Sequence, residues 1–204
     1  MVRKAGLNEA VVVQAAVELI DEEGPGALSL ARLAERLGVR SPSLYKHISG
    51  LEALRQGIAI WAARELARRM SRAAIGKSGD EAVLAIAQEY RDFAKDHPGL
   101  YPLLAQAPDP ADLAMEAAST EILAIIQAVL TPYGLEARES LHAIRGLRSL
   151  VHGFVSLETA GGFGMPLDID ESFLYLMERY LQGLRQSESE SREGLTRRRP
   201  RRPS

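Results

Sequence analysis

Apolar residues return every three or four positions along almost the whole chain, and Gly, Pro and Ser break the pattern at short intervals. Over residues 8–23, Val11, Val12, Ala15, Ala16, Leu19 and Ile20 share one face opposite the acids, and Gly24-Pro25-Gly26 closes the run, which predicts a first helix. Ser29 stands where a cap is needed for a second helix with Leu30, Leu33, Ala34 and Leu37 on its buried stripe, and Gly38 has the position of a left-handed C-terminal residue. Ser41 followed by Pro42 predicts another cap and a third helix of about two turns, ended by Gly50. A long fourth helix carries Leu51, Leu54, Ile58, Trp61 and Leu66 and breaks at residues 76–80.

A fifth helix is expected over residues 80–96, with Val83, Ile86, Ala87 and Tyr90 inward, then a turn at His97-Pro98-Gly99-Leu100 and a short sixth piece around Leu103. Asp109 with Pro110 predicts the start of a seventh helix bearing Leu113, Ala117, Ile122, Ile125, Ile126 and Val129, stopped by Thr131-Pro132-Tyr133-Gly134. An eighth, over about 135–159, ends at Gly161-Gly162, and a ninth, over about 170–184, carries Phe173, Leu176, Met177, Tyr180 and Leu184. Nowhere does the pattern alternate as a half-buried strand would, so the predicted fold is all-α with nine helices. Residues 186–204 have almost no apolar content and are expected to be a disordered, Arg-rich tail.

Composition narrows the function classes. The 204 residues contain no cysteine, which removes disulfides, thiol nucleophiles and thiolate metal sites together. The first fourteen residues, MVRKAGLNEAVVVQ, hold no apolar core of signal-peptide length, and no segment reads as a spanning helix of roughly 20 apolar residues, so a cytoplasmic chain without membrane contact is expected. The four histidines, His47, His97, His142 and His152, have no nearby carboxylate-histidine ligand spacing, so neither metal nor cofactor is expected. Net charge is −2, but residues 27–48 carry Arg32, Arg36, Arg40 and Lys46 against Glu35 alone, whereas residues 97–180 are strongly acidic. An acidic body repels phosphate, so nucleic acid could meet only the N-terminal part.

That part ends in the stretch VRSPSLYKHISG, residues 39–50. Two short helices separated by Gly38-Val39 describe a helix-turn-helix, whose second helix lies in the major groove of DNA. Ser41 and Ser43 are small donors at the helix start, Arg40 can pair with both acceptors of a guanine edge, and Tyr45, Lys46 and His47 suit phosphate oxygens. The same residue types also describe an idle solvated helix, and spacing alone leaves both readings open.

The order of elements resembles the TetR/AcrR family of helical transcriptional repressors. The residues that carry the resemblance run from Val11 to Leu54: a first helix ending in Glu23-Gly24, then Ser29-Leu30 to Gly38-Val39, then Ser41 through Leu44-Tyr45, His47-Ile48 and Glu52. It implies that Ser29, Arg32, Arg40, Ser41, Pro42, Ser43, Tyr45, Lys46 and His47 touch a double-stranded DNA operator, with Lys4 on an N-terminal arm adding charge. Leu51 stands where many relatives carry a lysine at the start of the fourth helix.

The family resemblance further implies residues 1–50 as the DNA-binding domain and residues 51–185 as a domain that binds a small, largely apolar effector and dimerises. Leu147 to Gly164 is similar to the subgroup named for a Trp-His-Gly motif, with Val151 in place of the tryptophan before His152-Gly153. The expected effector wall is Trp61, Tyr90, Ile122, Ile126 and His152, each of which also reads as ordinary core. The homodimer is expected through the eighth and ninth helices, supported by the stripe of Phe173, Leu176, Met177 and Tyr180. Gly153 inside a helix suggests close approach of another helix. A repressor released from an inverted-repeat operator is the leading function. A DNA-binding regulator without an effector, or an activator, is the alternative. An enzyme acting on a small apolar molecule finds no support, because the sequence holds no catalytic constellation: no nucleophile elbow, metal-ligand set or phosphate loop.

Overall fold

The computed structural model describes residues 6–104 and 111–197, with side chains to Gln186. The helices are α1 (Glu9–Glu23), α2 (Leu30–Arg36), α3 (Ser41–Leu44), α4 (Leu51–Ala74), α5 (Gly79–Asp96), α6 (Leu113–Leu130), α7 (Ala137–Thr159) and α8 (Ile169–Arg197), with short 3₁₀ turns at Pro25–Ala27, Tyr101–Leu104 and Thr131–Tyr133. Among the described residues there is no strand, and the all-α expectation holds. Among the described residues eight α-helices stand where nine were expected: the piece around Leu103 is described as the 3₁₀ turn Tyr101–Leu104, and residues 105–110 lie outside the described residues.

Caps set the boundaries. The Asn8 side chain accepts from the Val11 amide at 3.0 Å, opening α1, and Ser29 accepts from the Arg32 amide at 3.3 Å, opening α2 as the sequence predicts. The cap expected at Asp109 lies outside the described residues; α6 opens at Leu113, with the Asp112 carboxylate accepting from the Met115 amide at 3.0 Å. The Met115 amide, followed by the Gln56 side chain, holds the Asp112 carboxyl below the usual range by donating to it. Glu136 and Glu139 form a reciprocal capping box on α7, and Asp168 accepts from the Glu171 amide at 2.8 Å to open α8. The last helix continues to Arg197, past the Leu184 end of its apolar stripe. Residues 186–197 of the expected tail continue this helix, and residues 198–204 lie outside the described residues.

The chain forms two compact units, Met1–Arg68 with Asp92–Ile122, and Arg69–Arg91 with Leu123–Ser204. The first places residues 92–122 with the N-terminal helices, and the reason lies at the turn after α5. His97 Nδ1 meets Asp21 Oδ2 of α1 at 2.8 Å, and Leu100 and Tyr101 are buried. A Cβ at Gly99 would lie 2.6 Å from Ile20 Cγ2, so only glycine lets the turn sit this close to α1. Val12, Ala16, Val17, Leu19, Leu33, Leu44, Leu54 and Ile58 fill this unit's core, each of the larger side chains contributing about 1.5–3 kcal/mol by burial.

In the second unit the core contains an ion. Arg91 is 2% exposed and forms a two-pronged bond to Glu158 on α7, Nε to Oε2 at 2.7 Å and Nη2 to Oε1 at 2.6 Å, with Asp170 of α8 a further 2.7 Å partner. Its guanidinium lies over the rings of Phe173 (4.9 Å) and Phe154 (5.6 Å). Hydrogen bonding to Glu158, more than any other contact, holds Arg91 protonated against its burial. The stripe expected at the dimer surface turns inward around this cluster: Phe173 and Met177 are buried in the chain itself. One helix departs from another expectation. Residues Leu113–Tyr133 are long and apolar enough to cross a membrane by length and composition, because Ala, Ile and Leu dominate despite Glu116 and Glu121.

Candidate nucleic-acid interface

Residues 36–50 are assembled by a few local bonds. Gly38, at φ +63°, ends α2, with its amide bonded to Glu35 O and the Val39 amide to Ala34 O, both at 3.0 Å. Arg40, in extended conformation, is the cap residue of α3, so Ser41 and Pro42 are its first two helical residues and the cap falls one position earlier than predicted. The helix proper is one turn, Ser41–Leu44, and the chain then tightens: the amides of His47 and Ile48 both bond Leu44 O, at 2.9 and 3.0 Å. The second predicted turn is thus a tight turn rather than α-helix.

Burial sorts this segment cleanly. Leu44 and Ile48 are buried and anchor it, whereas Arg40, Pro42, Tyr45 and Lys46 are exposed and Ser41, Ser43 and His47 are half-buried. Tyr45 is 60% exposed although nothing about its ring favours water, which leaves a large flat donor on the surface. Neither Arg40 nor Lys46 has an acidic partner among the described residues. The other two cations of the basic segment are differently engaged. Arg32 pairs with Glu23 at 2.5 Å, and Arg36 makes two 2.7 Å bonds to Glu22 and one of 3.3 Å to Glu18. Those bonds hold the Glu22 carboxyl below its usual range. Thus Arg32, expected at the DNA, is exposed but paired with Glu23 of α1, and within residues 27–48 the cations without an acidic partner among the described residues are Arg40 and Lys46. Lys4 lies outside the described residues.

Of the expected effector residues, Trp61 and Ile122 belong to the first unit and Tyr90, Ile126 and His152 to the second. Tyr90 and Ile126 are buried, while His152 and Ile122 are half-buried. Burial, followed by the charge of Arg148, pushes the His152 ring below the usual imidazole range. Trp61 alone of the five lines an open cleft of about 800 Å³ in the first unit, between α1, α4 and the start of α6. Sequence reasoning missed this cleft, the His97–Asp21 bond and the buried Arg91. The signal for Arg91 was its place between Tyr90 and Phe93 on an apolar stripe, where an arginine needs a partner.

A one-turn helix with a buried underside, an exposed cationic surface and a preceding helix braced behind it defines a helix-turn-helix DNA-binding regulator. The comparisons with known proteins agree. Residues 12–57 match the family described as bacterial regulatory proteins, tetR family, and residues 83–180 match the tetracyclin repressor-like C-terminal domain. The HTH-type transcriptional regulator YobS of Bacillus subtilis is 37% identical over 182 residues, which span 89% of this chain and 94% of that protein. The class D tetracycline repressor protein of Escherichia coli is 29% identical over 190 residues, 87% of this chain and 80% of its own. The solved structure of regulatory protein SCO4313 superposes with a TM-score of 0.70 at 26% identity, covering 85% of this chain and 95% of that one. The chain belongs to the TetR family and is a DNA-binding transcriptional regulator. Regulators of this family bind operators and small molecules, act as dimers, and are generally not enzymes.

Proposed function

We propose that the protein is a dimeric repressor that holds an inverted-repeat operator through residues 40–47 and is released by a small, largely apolar effector. The observation that carries the DNA end is the surface just described: Tyr45 and Lys46 exposed, Arg40 without an acidic partner, and Leu44 and Ile48 buried beneath. In this reading Arg40 and Ser43 address base edges, while Ser29, Ser41, Tyr45, Lys46 and His47 address phosphates. Arg32 and Arg36 brace α2 on α1 rather than reaching for DNA. Such a regulator works where the DNA is, in the cytoplasm.

The dimer reading rests on what α7 and α8 leave uncovered. Leu141, Leu157, Leu174 and Tyr175 are 45–59% exposed, and among the described residues nothing lies within 4 Å of the place a Cβ on Gly153 would take. The close approach that Gly153 suggested is not made among the described residues, and a second copy packing its own α7 and α8 there would supply it. Selection from a random pool of DNA duplexes tests the whole reading. The expected product is an inverted repeat with half-site centres about one helical turn, or a small multiple of it, apart. Recovery of single, unrepeated sites by a monomer would overturn it.

A further inference from the structure

We propose that the cleft between α1 and α4 binds a small organic monoanion with an aromatic or branched apolar body, and that its occupancy reaches the DNA-binding helices through Trp61, His97 and Asp21. This rests on the reading of the chain as an effector-controlled regulator and names a site and a ligand class for it. The cleft, about 800 Å³, is within the size range of small-molecule sites. Val13, Ile60 and Trp61 give it an apolar wall, and α1 and α4 cross closely at its base, where a Cβ at Gly57 would be 3.0 Å from Val13 Cγ2.

Its charges are unequal in availability. Arg68 is engaged by Glu65, with bonds of 2.5 and 2.7 Å, whereas Arg64 has no acidic partner among the described residues. Arg64 is therefore the group able to pair with a carboxylate. Glu9 also lines the cleft and Glu65 is balanced by Arg68, so the one cation left over balances a single negative charge, which selects a monocarboxylate over a doubly charged phosphate ester.

Trp61 belongs to two environments. One side of the indole lines the cleft, and the ring meets His97 edge-on, centroids 5.7 Å apart at 82°. His97 is backed by Phe93 at 4.9 Å and bonded through Nδ1 to Asp21 on α1. A ligand stacked on Trp61 that shifts the indole displaces His97, which has Phe93 against it, and so weakens the hold on Asp21. The tight contact of Gly99 on Ile20 leaves the turn little slack to absorb the movement. α1 also carries Glu18, Glu22 and Glu23, the partners of Arg36 and Arg32, so displacement of its end is passed to α2 and the segment after it.

Trp61 is the chain's one tryptophan, so its emission reports the cleft directly. The full chain is titrated with 4-tert-butylbenzoate and with the uncharged 4-tert-butylbenzyl alcohol, alone and on operator DNA. A saturable emission change is expected with the carboxylate, weakened about two- to fivefold by Arg64→Gln, which leaves the alcohol's weaker binding unchanged. Saturation should lower operator affinity in the unaltered chain, and Asp21→Ala, which removes the acceptor for His97, should keep the emission change while abolishing that effect on the operator. Unaltered emission at the solubility limit, an Arg64→Gln titration that overlays the original, or full coupling in Asp21→Ala would each overturn the proposal. The functional reading fails separately, by the ligand-free chain retaining no operator DNA.

Discussion

The two units use the same chemical group, a two-pronged arginine–carboxylate pair, in opposite surroundings. Arg36 meets Glu22 at 2.7 Å on the surface of the N-terminal helices, and Arg91 meets Glu158 at nearly the same distance with 2% of its side chain exposed. Distance therefore says little about what each pair does. Around Arg36 water and salt compete for both partners, so the α1–α2 corner is held mainly by Leu33, Ala34, Val17 and Ile20 packed beneath. Around Arg91 burial shields the bond to Glu158 from water, and the pair joins α5 and α7, with the exposed Asp170 of α8 as a further partner. A corner that must present cations to DNA keeps its ion pairs where they can exchange; a helical core uses one as a clamp.

The sharpest test of this contrast is Glu158→Ala, which strands a buried guanidinium with only the exposed Asp170 beside it. Chemical denaturation should show a loss of about 3–5 kcal/mol, whereas the double variant Arg91→Met with Glu158→Leu, which removes both charges and keeps the volume, should lose far less. Equal losses in the two variants would mean the clamp acts by packing alone. Gly99→Ala comes next: overpacking against Ile20 should destabilise by about 1–3 kcal/mol, seen in the same unfolding curves.

At the DNA end, Lys46→Ala should weaken binding about equally across sequences and flatten the dependence of log affinity on log salt by roughly one unit. Arg40→Ala should instead relax preference at one base position; an unchanged salt slope for the Lys46 variant would remove its phosphate role. A smaller effect concerns His152. Its imidazole is depressed by burial and by Arg148, so the folded state binds its proton less readily than the unfolded chain. Its stabilising contribution is complete above about pH 6.5 and is lost as pH falls through the lower folded value. His152→Leu should therefore narrow the fall in thermal midpoint below that pH, relative to the original chain. Smallest of all, Arg36→Ala should change stability only slightly and by an amount that disappears in high salt, in contrast to Glu158→Ala, whose loss should persist.

The helical pattern and its punctuation were legible because they are local. Ser29, Gly38 and Gly50 mark ends that depend only on nearby backbone bonds and on φ values that a side chain resists. Where prediction slipped, a neighbour distant in sequence took part: Asp112, bonded to Gln56, opens α6 in place of the cap expected at Asp109. The interface residues were legible as residue types, but their availability was not. Arg32 and Arg40 look alike in the sequence, and only the proximity of Glu23 separates them. Phe173 and Met177 likewise form a stripe fit for a partner subunit, but both are buried, Phe173 against Arg91 and Phe154.

By itself, then, the sequence determined the all-helical class, the helix-turn-helix and the family, since periodicity, caps and a run of about 45 residues are properties of neighbouring positions. Tertiary structure decided which cations are paired, which apolar stripes stay inside the protomer, and that Trp61 lines a cleft and meets His97, which bonds Asp21. Those outcomes depend on which residues meet across long separations, and charge pairing and burial are set by that meeting rather than by the residue's own chemistry.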